Sequence, residues 1–510
     1  MANQAGAKGT ERPVPGKREE AGEQALPRAL PQSAAAALVF VAAGAVLMLE
    51  ILAVRLLAPY VGLTLETTTS IIGAALAGIA LGAAVGGYFA DRVDTRLLIV
   101  GLLLGGGALA LLTVPVVHWL GPGARGEGTG AALGITAIAL VPAASVLSAV
   151  SPAVAHLQLH DLHASGTIVG RLSAWGTAGA LVGTFGTGFI LIPTLPVGTA
   201  VLLIGGVLLL VGVGLGLSTP LLSPARAAAV VIIALALGTL TATSSSPCLK
   251  ESEYHCLNLE VDPAYADGFE LILDDAHNSY VDLKDPTHLK YRYARWIAGA
   301  INGENPGRKP LDAVFVGGGG FTLPRWLLAT RPGSSADVLE LDPNIVELDE
   351  ERLGLRTSPD LRVAVGDARV SMLAIPSDSA DIVIGDAFSG FTVPWHLTTA
   401  EWLDEVKRVL TPDGIYAMNL IDLEPLEFLK AETATFLDAF ADVQLIGTEG
   451  YAGNFVLVGS DRPMTRLVSP RATRAEGRVA FPRSQLEKNS AGSQPLRDDF
   501  SPVDQLRTIE

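Results

Sequence analysis

The sequence predicts two joined units: a multi-pass α-helical membrane domain, then an α/β domain built on a parallel sheet with a small antiparallel β cap at its start. Three observations predict this. Residues 34–243 are nearly all Ala, Leu, Val, Gly and Ile, whereas residues 250–510 have ordinary globular composition. From Leu311 to Asp422 the chain reads LDAVFVGGGGF, ADVLELDPNIVELDEERL, LRVAVGDARVSML, DIVIGDAFSG and GIYAMNL. Each piece is a short β-branched apolar run ending in Gly or Asp, and most are followed by a helical pattern, the rhythm of βαβ units. Residues 252–283 instead alternate as EYHCLNLEV, FELILDD and NSYVDL, which predicts the antiparallel cap.

Composition bounds what the protein does. The chain has 510 residues, enough for two or more domains, with 49% hydrophobic and 17% charged residues. A net charge of -16 argues against nucleic acid as a partner. Residues 1–33 are rich in Pro, Gly, Ala, Glu, Lys and Arg without apolar period, and are expected to be disordered. The first apolar run is too long for a signal peptide. Lys8, Arg12, Lys17, Arg18 and Arg28 precede it, which places the N-terminus in the cytoplasm by the positive-inside rule.

Seven apolar runs approach spanning length, at about 35–58, 68–90, 97–119, 131–153, 169–192, 198–217 and 227–243, the last marginal. Gly78, Gly82 and Gly86 recur at four-residue spacing in the second, a stripe that permits close helix contact. Glu50 and Arg55 lie inside the first run, where ionisable groups are costly and either pair with other helices or serve a function. His156, His160 and His163 in HLQLHDLH share a helix face, but a solvated interfacial helix is expected there and no metal.

Cys248 and Cys256 follow the seventh run. If paired, they imply an oxidising compartment. Seven spans from a cytoplasmic N-terminus also put this junction outside, whereas six put the following domain in the cytoplasm. The expectation is a multi-pass cell-membrane protein whose second domain leans to the extracytoplasmic side.

In the second domain, DPTHLKYRYARWIAGAI predicts a helix with Pro286 in its first turn. Ala313 to Val316 forms the first parallel strand, and the glycines after it let backbone approach a ligand at the next helix N-terminus. Glu340 and Asp342 end the second strand, where an acid usually accepts hydrogen bonds from ribose hydroxyls. Asp367 ends the third, where an adenine amine could be read, and Asp386 ends the fourth. Each of these Asp residues could also be a plain helix cap. Acids in register on consecutive strand ends predict an adenosine-containing cosubstrate.

The order GGGG, ELDP, GDAR, DAFSG resembles the polyamine aminopropyltransferases, the spermidine and spermine synthases. SEYHCLNL and LDDAHNS resemble that family's first strand and hairpin, so the likeness covers about residues 250–462. The membrane half, with LEILAVRLLAPYVG and ALGAAVGGYFADR, is similar to the membrane-fused bacterial branch. The resemblance implies a Rossmann-like domain of the class I S-adenosylmethionine methyltransferase type over residues 244–462, after a transmembrane domain at 34–243. It implies that Gly317, Gly318 and Gly319 approach the cosubstrate, that Glu340, with Asp342, holds ribose, and that Asp367 with Ala368 reads adenine. Asp386 becomes the catalytic acid that orients and deprotonates an attacking amine. Tyr254 and Tyr291 or Tyr293 wall the pocket, and His255 and Asn278 face the substrates. The implied cosubstrate is decarboxylated S-adenosylmethionine, or the intact form. Implied partners are an amine such as putrescine, the lipid bilayer and a second copy of the chain.

Three positions depart from the family. Gly320 stands where an Asp helps hold the aminopropyl end, Ser389 replaces the second acid of D-x-x-D, and Asp275 replaces a hairpin Gly. Cosubstrate binding is thus better kept than diamine binding. A methyltransferase on the same sheet, and a sensor or transporter binding nucleoside or polyamine without turnover, are the competing expectations. Residues 463–510, rich in Arg, Ser, Pro, Asp and Glu, are expected to be a disordered tail.

Overall fold

A computed structural model describes residues 30–125, 128–159, 165–448, 453–464 and 478–507. The disorder expected for residues 1–33 falls almost wholly outside them, as do His160 and His163.

The apolar half folds into long helices at Gln32–Val61, Leu65–Ala90, Thr95–Leu120, Ser165–Gly186, Val197–Ser218 and Pro224–Thr243. Among the described residues, six helical stretches are long and apolar enough to cross a membrane, or seven if the bent pair Gly128–Ala139 and Val141–Gln158 counts as one. The pair bends by 45° where Pro142 enters the second helix, because its ring cannot continue the helical ladder. The glycine stripe serves contact: a Cβ on Gly82 would fall 2.0 Å from the Ser145 carbonyl oxygen. His156 is held at a helix end by Thr95 Oγ1 at 3.1 Å.

The second half contains two sheets. Four antiparallel strands, β1 (Lys250–Glu251), β2 (Cys256–Val261), β3 (Gly268–Leu273) and β4 (Ala276–Asp282), lie in that order. A disulfide joins Cys248 to Cys256 at the start of β2. The larger sheet holds eight strands: β5 (Asp312–Val316), β6 (Ser335–Glu340), β7 (Leu361–Val365), β8 (Ala380–Gly385), β9 (Leu410–Asp422), β10 (Asp442–Thr448), β11 (Gly453–Ser460) and β12 (Arg478–Pro482). Their order is β12-β10-β11-β9-β8-β5-β6-β7, with β7, β6, β5, β8 and β9 parallel and the remainder antiparallel. This is the methyltransferase-type Rossmann-like arrangement. Alternate side chains build two cores: Val314, Val316, Leu339 and Val383 on one face, and Phe315, Val338, Ile382 and Ile384 on the other. The strand order switches sides between β5 and β8, and in such sheets the ligand crevice lies at that switch point.

Two expectations are corrected. The helix with Pro286 in its first turn begins only at Arg292. Asp282 Oδ1 instead accepts the Lys284 and Asp285 amides, and Asp285 Oδ1 that of Thr287. These local turns outcompete the helix. The tail after residue 462 is also not wholly disordered: β12 pairs with β10, a helix follows at Arg483–Asn489, and Leu486, Leu496 and Val503 are buried in the core. The few apolar residues are spaced too irregularly to show a period, yet Leu486, Leu496 and Val503 pack into the core while Phe500 stays exposed. The Leu496 amide donates to Thr435 Oγ1, and Arg369 grips Asp498 through two bonds of 2.7 and 2.6 Å. Leu496→Ala is therefore expected to cost about 2–5 kcal/mol of domain stability, the range for a buried leucine. A denaturant midpoint equal to wild type would return this segment to the status of a loose tail.

Candidate active site

The crevice is set by a close crossing of two strand ends. Gly317 leaves β5 with φ +97, and a Cβ there would lie 2.6 Å from the Asp386 carbonyl oxygen. Glycine is required both for that conformation and for that approach. The following loop is pinned from two sides. The Gly318 amide donates to Glu340 Oε2 at 2.7 Å, and the Gly320 amide to Ser279 Oγ at 2.7 Å. The loop thus bridges the end of β6 to the small sheet.

Above it lies a cavity of about 540 Å³. Gly317, Gly318, Gly319, Asn278, Tyr291 and Asp386 all line it, so the structure brings these expected residues together. Tyr293, Trp296, Phe388, Asn419 and Asn454 join them. The Tyr291 hydroxyl and Trp296 Nε1 are buried without a hydrogen-bond partner among the described residues. Asp386 is the sole acid among the described lining residues, beside Lys290, Arg292 and Arg295.

Asp386 is held firmly. Asn419 Nδ2 donates to its Oδ1 at 2.8 Å, Asn454 Nδ2 donates to Asn419 Oδ1 at 3.0 Å, and Tyr293 donates to the same carboxyl. Burial pushes its pKa up to about 7, against the two hydrogen bonds that favour the charged form. A carboxyl so poised can give or take a proton near neutrality. Asn419 was missed in sequence, although a lone Asn inside the apolar strand GIYAMNL is itself a signal, because a buried amide needs partners.

The remaining expected residues do not line this cavity. Glu340 is buried at the end of β6, with Oε1 accepting the Asp342 amide at 2.9 Å, and burial raises its pKa. Asp367 caps the helix Ala368–Met372 through the Val370 amide and faces His396 Nε2 at 3.1 Å, at the rim beside β7. Ala368 is buried behind it, and Tyr254 is half-buried. Two expected residues already have protein partners. Asp342 Oδ1 caps Asn344, and its Oδ2 accepts from Ser252 Oγ. His255 does not reach the cavity, because its Nδ1 is bound to Asp274 Oδ2 at 2.8 Å.

Comparisons with known proteins now bear on this site. No family model matches the chain. It is 28% identical over 234 residues to a polyamine aminopropyltransferase of Vibrio vulnificus, covering 45% of this chain and 72% of that one. It is 28% identical over 352 residues to polyamine aminopropyltransferase 2 of Streptomyces coelicolor, covering 64% and 62%. It is also 28% identical over 138 residues to an eEF1A lysine and N-terminal methyltransferase of Bos taurus, covering 24% and 20%. The fold and the strand-end site define a transferase of the Rossmann-like class. Within that class the α/β half is similar to the spermidine synthase-like aminopropyltransferases.

Asn419→Leu removes a hydrogen bond that holds the Asp386 carboxyl down, so its titration should move above 7. Infrared difference spectroscopy of the carboxyl band against pH checks this, and an unmoved or lowered titration would contradict the arrangement.

Proposed function

We propose that this protein is a membrane-anchored aminopropyltransferase using decarboxylated S-adenosylmethionine and an amine such as putrescine. The observation that carries this reading is the Asp386 carboxyl, poised near neutrality in a cavity against the glycine loop. The amine nitrogen attacks the propyl carbon beside the sulfonium. The new C–N bond forms as the C–S bond breaks, its electron pair stays on sulfur, and methylthioadenosine leaves. Asp386 accepts the ammonium proton, with Asn419 and Tyr293 fixing its orientation. The sulfonium is already a good leaving group, so positioning supplies much of the rest. The four-stranded sheet acts as the cap over the amine, through Asn278 and the loop contact of Ser279.

A second reading is favoured by one observation. Lys290, Arg292 and Arg295 line the cavity, Lys290 already bound to Asp262 and Glu270, and a carboxylate-bearing end, as in intact S-adenosylmethionine, adds one more acceptor to that set. Methyl transfer would follow, and preference for the intact over the decarboxylated cosubstrate discriminates the two.

Membrane anchoring is supported by the apolar helices and by the Streptomyces match, which is longer than the α/β half of this chain can supply. The Cys248–Cys256 disulfide supports an extracytoplasmic catalytic domain, as does the span count when the bent pair is taken as a seventh crossing. A periplasm-dependent reporter fused at the C-terminus should then be active, and an active cytoplasmic reporter there would reverse the orientation.

Asp386→Asn is expected to lower turnover about 10²–10⁴-fold while leaving nucleoside affinity nearly intact. In the wild type the carboxylate is the working form, so the rate should climb about tenfold per pH unit below 7 and level off above it. The stability effect has the opposite sign. The folded protein keeps this proton to higher pH than the unfolded chain, so the group's contribution falls as pH rises from about 4 through 7. At pH 8 the Asn variant should therefore be the more stable protein. Retention of more than about a tenth of wild-type turnover, with any amine the wild type uses, would remove Asp386 from this role.

A further inference from the structure

Arg55 sits within the first apolar helix, yet its hydrogen bonds leave the helical bundle. Nη2 donates to the Ser252 carbonyl at 2.7 Å and Nη1 donates to the Tyr254 carbonyl. Ser252 is buried, and its hydroxyl accepts the amides of Tyr254 and His255 at 3.1 and 2.8 Å. That hydroxyl donates in turn to Asp342 Oδ2. The Asp342 amide donates to Glu340 Oε1, and Glu340 Oε2 holds the Gly318 amide at 2.7 Å. Ser252, Asp342 and Glu340 are 5%, 2% and 6% exposed, so water does not stand in for any of these links. The route runs unbroken from an apolar helix to the loop at the switch point.

We infer that Arg55 is a positioning residue for the nucleoside edge, and that the helical half is part of the catalytic apparatus as well as its anchor. This rests on the proposed function. An ionisable side chain inside an apolar helix is costly, and attachment alone could be achieved by apolar packing. What a guanidinium adds is a planar fork whose two nitrogens fix two carbonyls at a set spacing. Those carbonyls flank the turn that the Ser252 hydroxyl closes and ties to Asp342. Two further contacts seat the same region. Glu251 Oε2 accepts the Val197 amide at 2.7 Å at the start of a neighbouring helix, and Asp275 packs on Gly62 at the end of the first. Neither of these continues to the glycine loop through a chain of hydrogen bonds, whereas Arg55 does.

The test uses the full chain in detergent micelles, with methylthioadenosine as the calorimetric probe. Glu340→Gln sets the scale at the far end of the route. Arg55→Gln is expected to weaken methylthioadenosine at least fivefold and to raise KM for the cosubstrate by a similar factor. The kcat and the KM for the amine should change less than twofold. Arg55→Lys, which can reach one carbonyl, should recover part of the affinity. Leu52→Ala, at a buried position on the same helix, controls for loosening: it should lower Tm without changing affinity. Unchanged affinity in Arg55→Gln, or an equal loss in Leu52→Ala at matched Tm, overturns the inference alone. A wild type that binds no methylthioadenosine overturns the nucleoside reading and the inference with it.

Discussion

The site depends on one buried carboxylate. Glu340 ends β6 and accepts amides on both oxygens, from the glycine loop on one side and from Asp342 on the other. Removing it would leave buried amides of two segments unpaired at once, and each such group costs about 1–3 kcal/mol. That tether, with the bond from Gly320 to Ser279, fixes the loop's course beside Asp386, which Asn419 and Tyr293 hold in turn. Burial raises the carboxyl's pKa, and the same amides that order the loop pull against that rise.

Much of the α/β half was legible in sequence because its signals are local. Parallel strands such as DAVFV and ADIVIG are continuous β-branched runs, and Gly or Asp marks their ends. Since ligands gather at those ends, naming the strands nearly named the site. Roles were harder to read than positions. Asp342 and Asp367 sit where ligand-binding acids sit, yet both cap helices, and a helix N-terminus after a strand asks for the same residue type. His255 was drawn away by Asp274, a partner nineteen residues distant that no spacing rule connects to it.

What was not legible is what only tertiary contact creates. Arg55 belongs by composition to a helix in the apolar half and by hydrogen bonding to the other half of the molecule. Asn419 and Asn454 lie on β9 and β11, and become one polar chain because those strands pair antiparallel. The C-terminal segment has too little apolar period to announce itself, and its order comes from docking Leu486, Leu496 and Val503 into a core already formed.

That docking has a consequence for solubility. β10 would otherwise be the outer strand of the large sheet, with a row of unpaired amides and carbonyls from Gln444 to Thr448. β12 occupies that row along its whole length. β12 is then the outer strand itself, but it is only five residues long and ends in Pro482, and short edges carrying proline recruit other chains poorly. The polar C-terminus therefore works as a selvedge, the finished border that keeps a woven cloth from joining or fraying at its side.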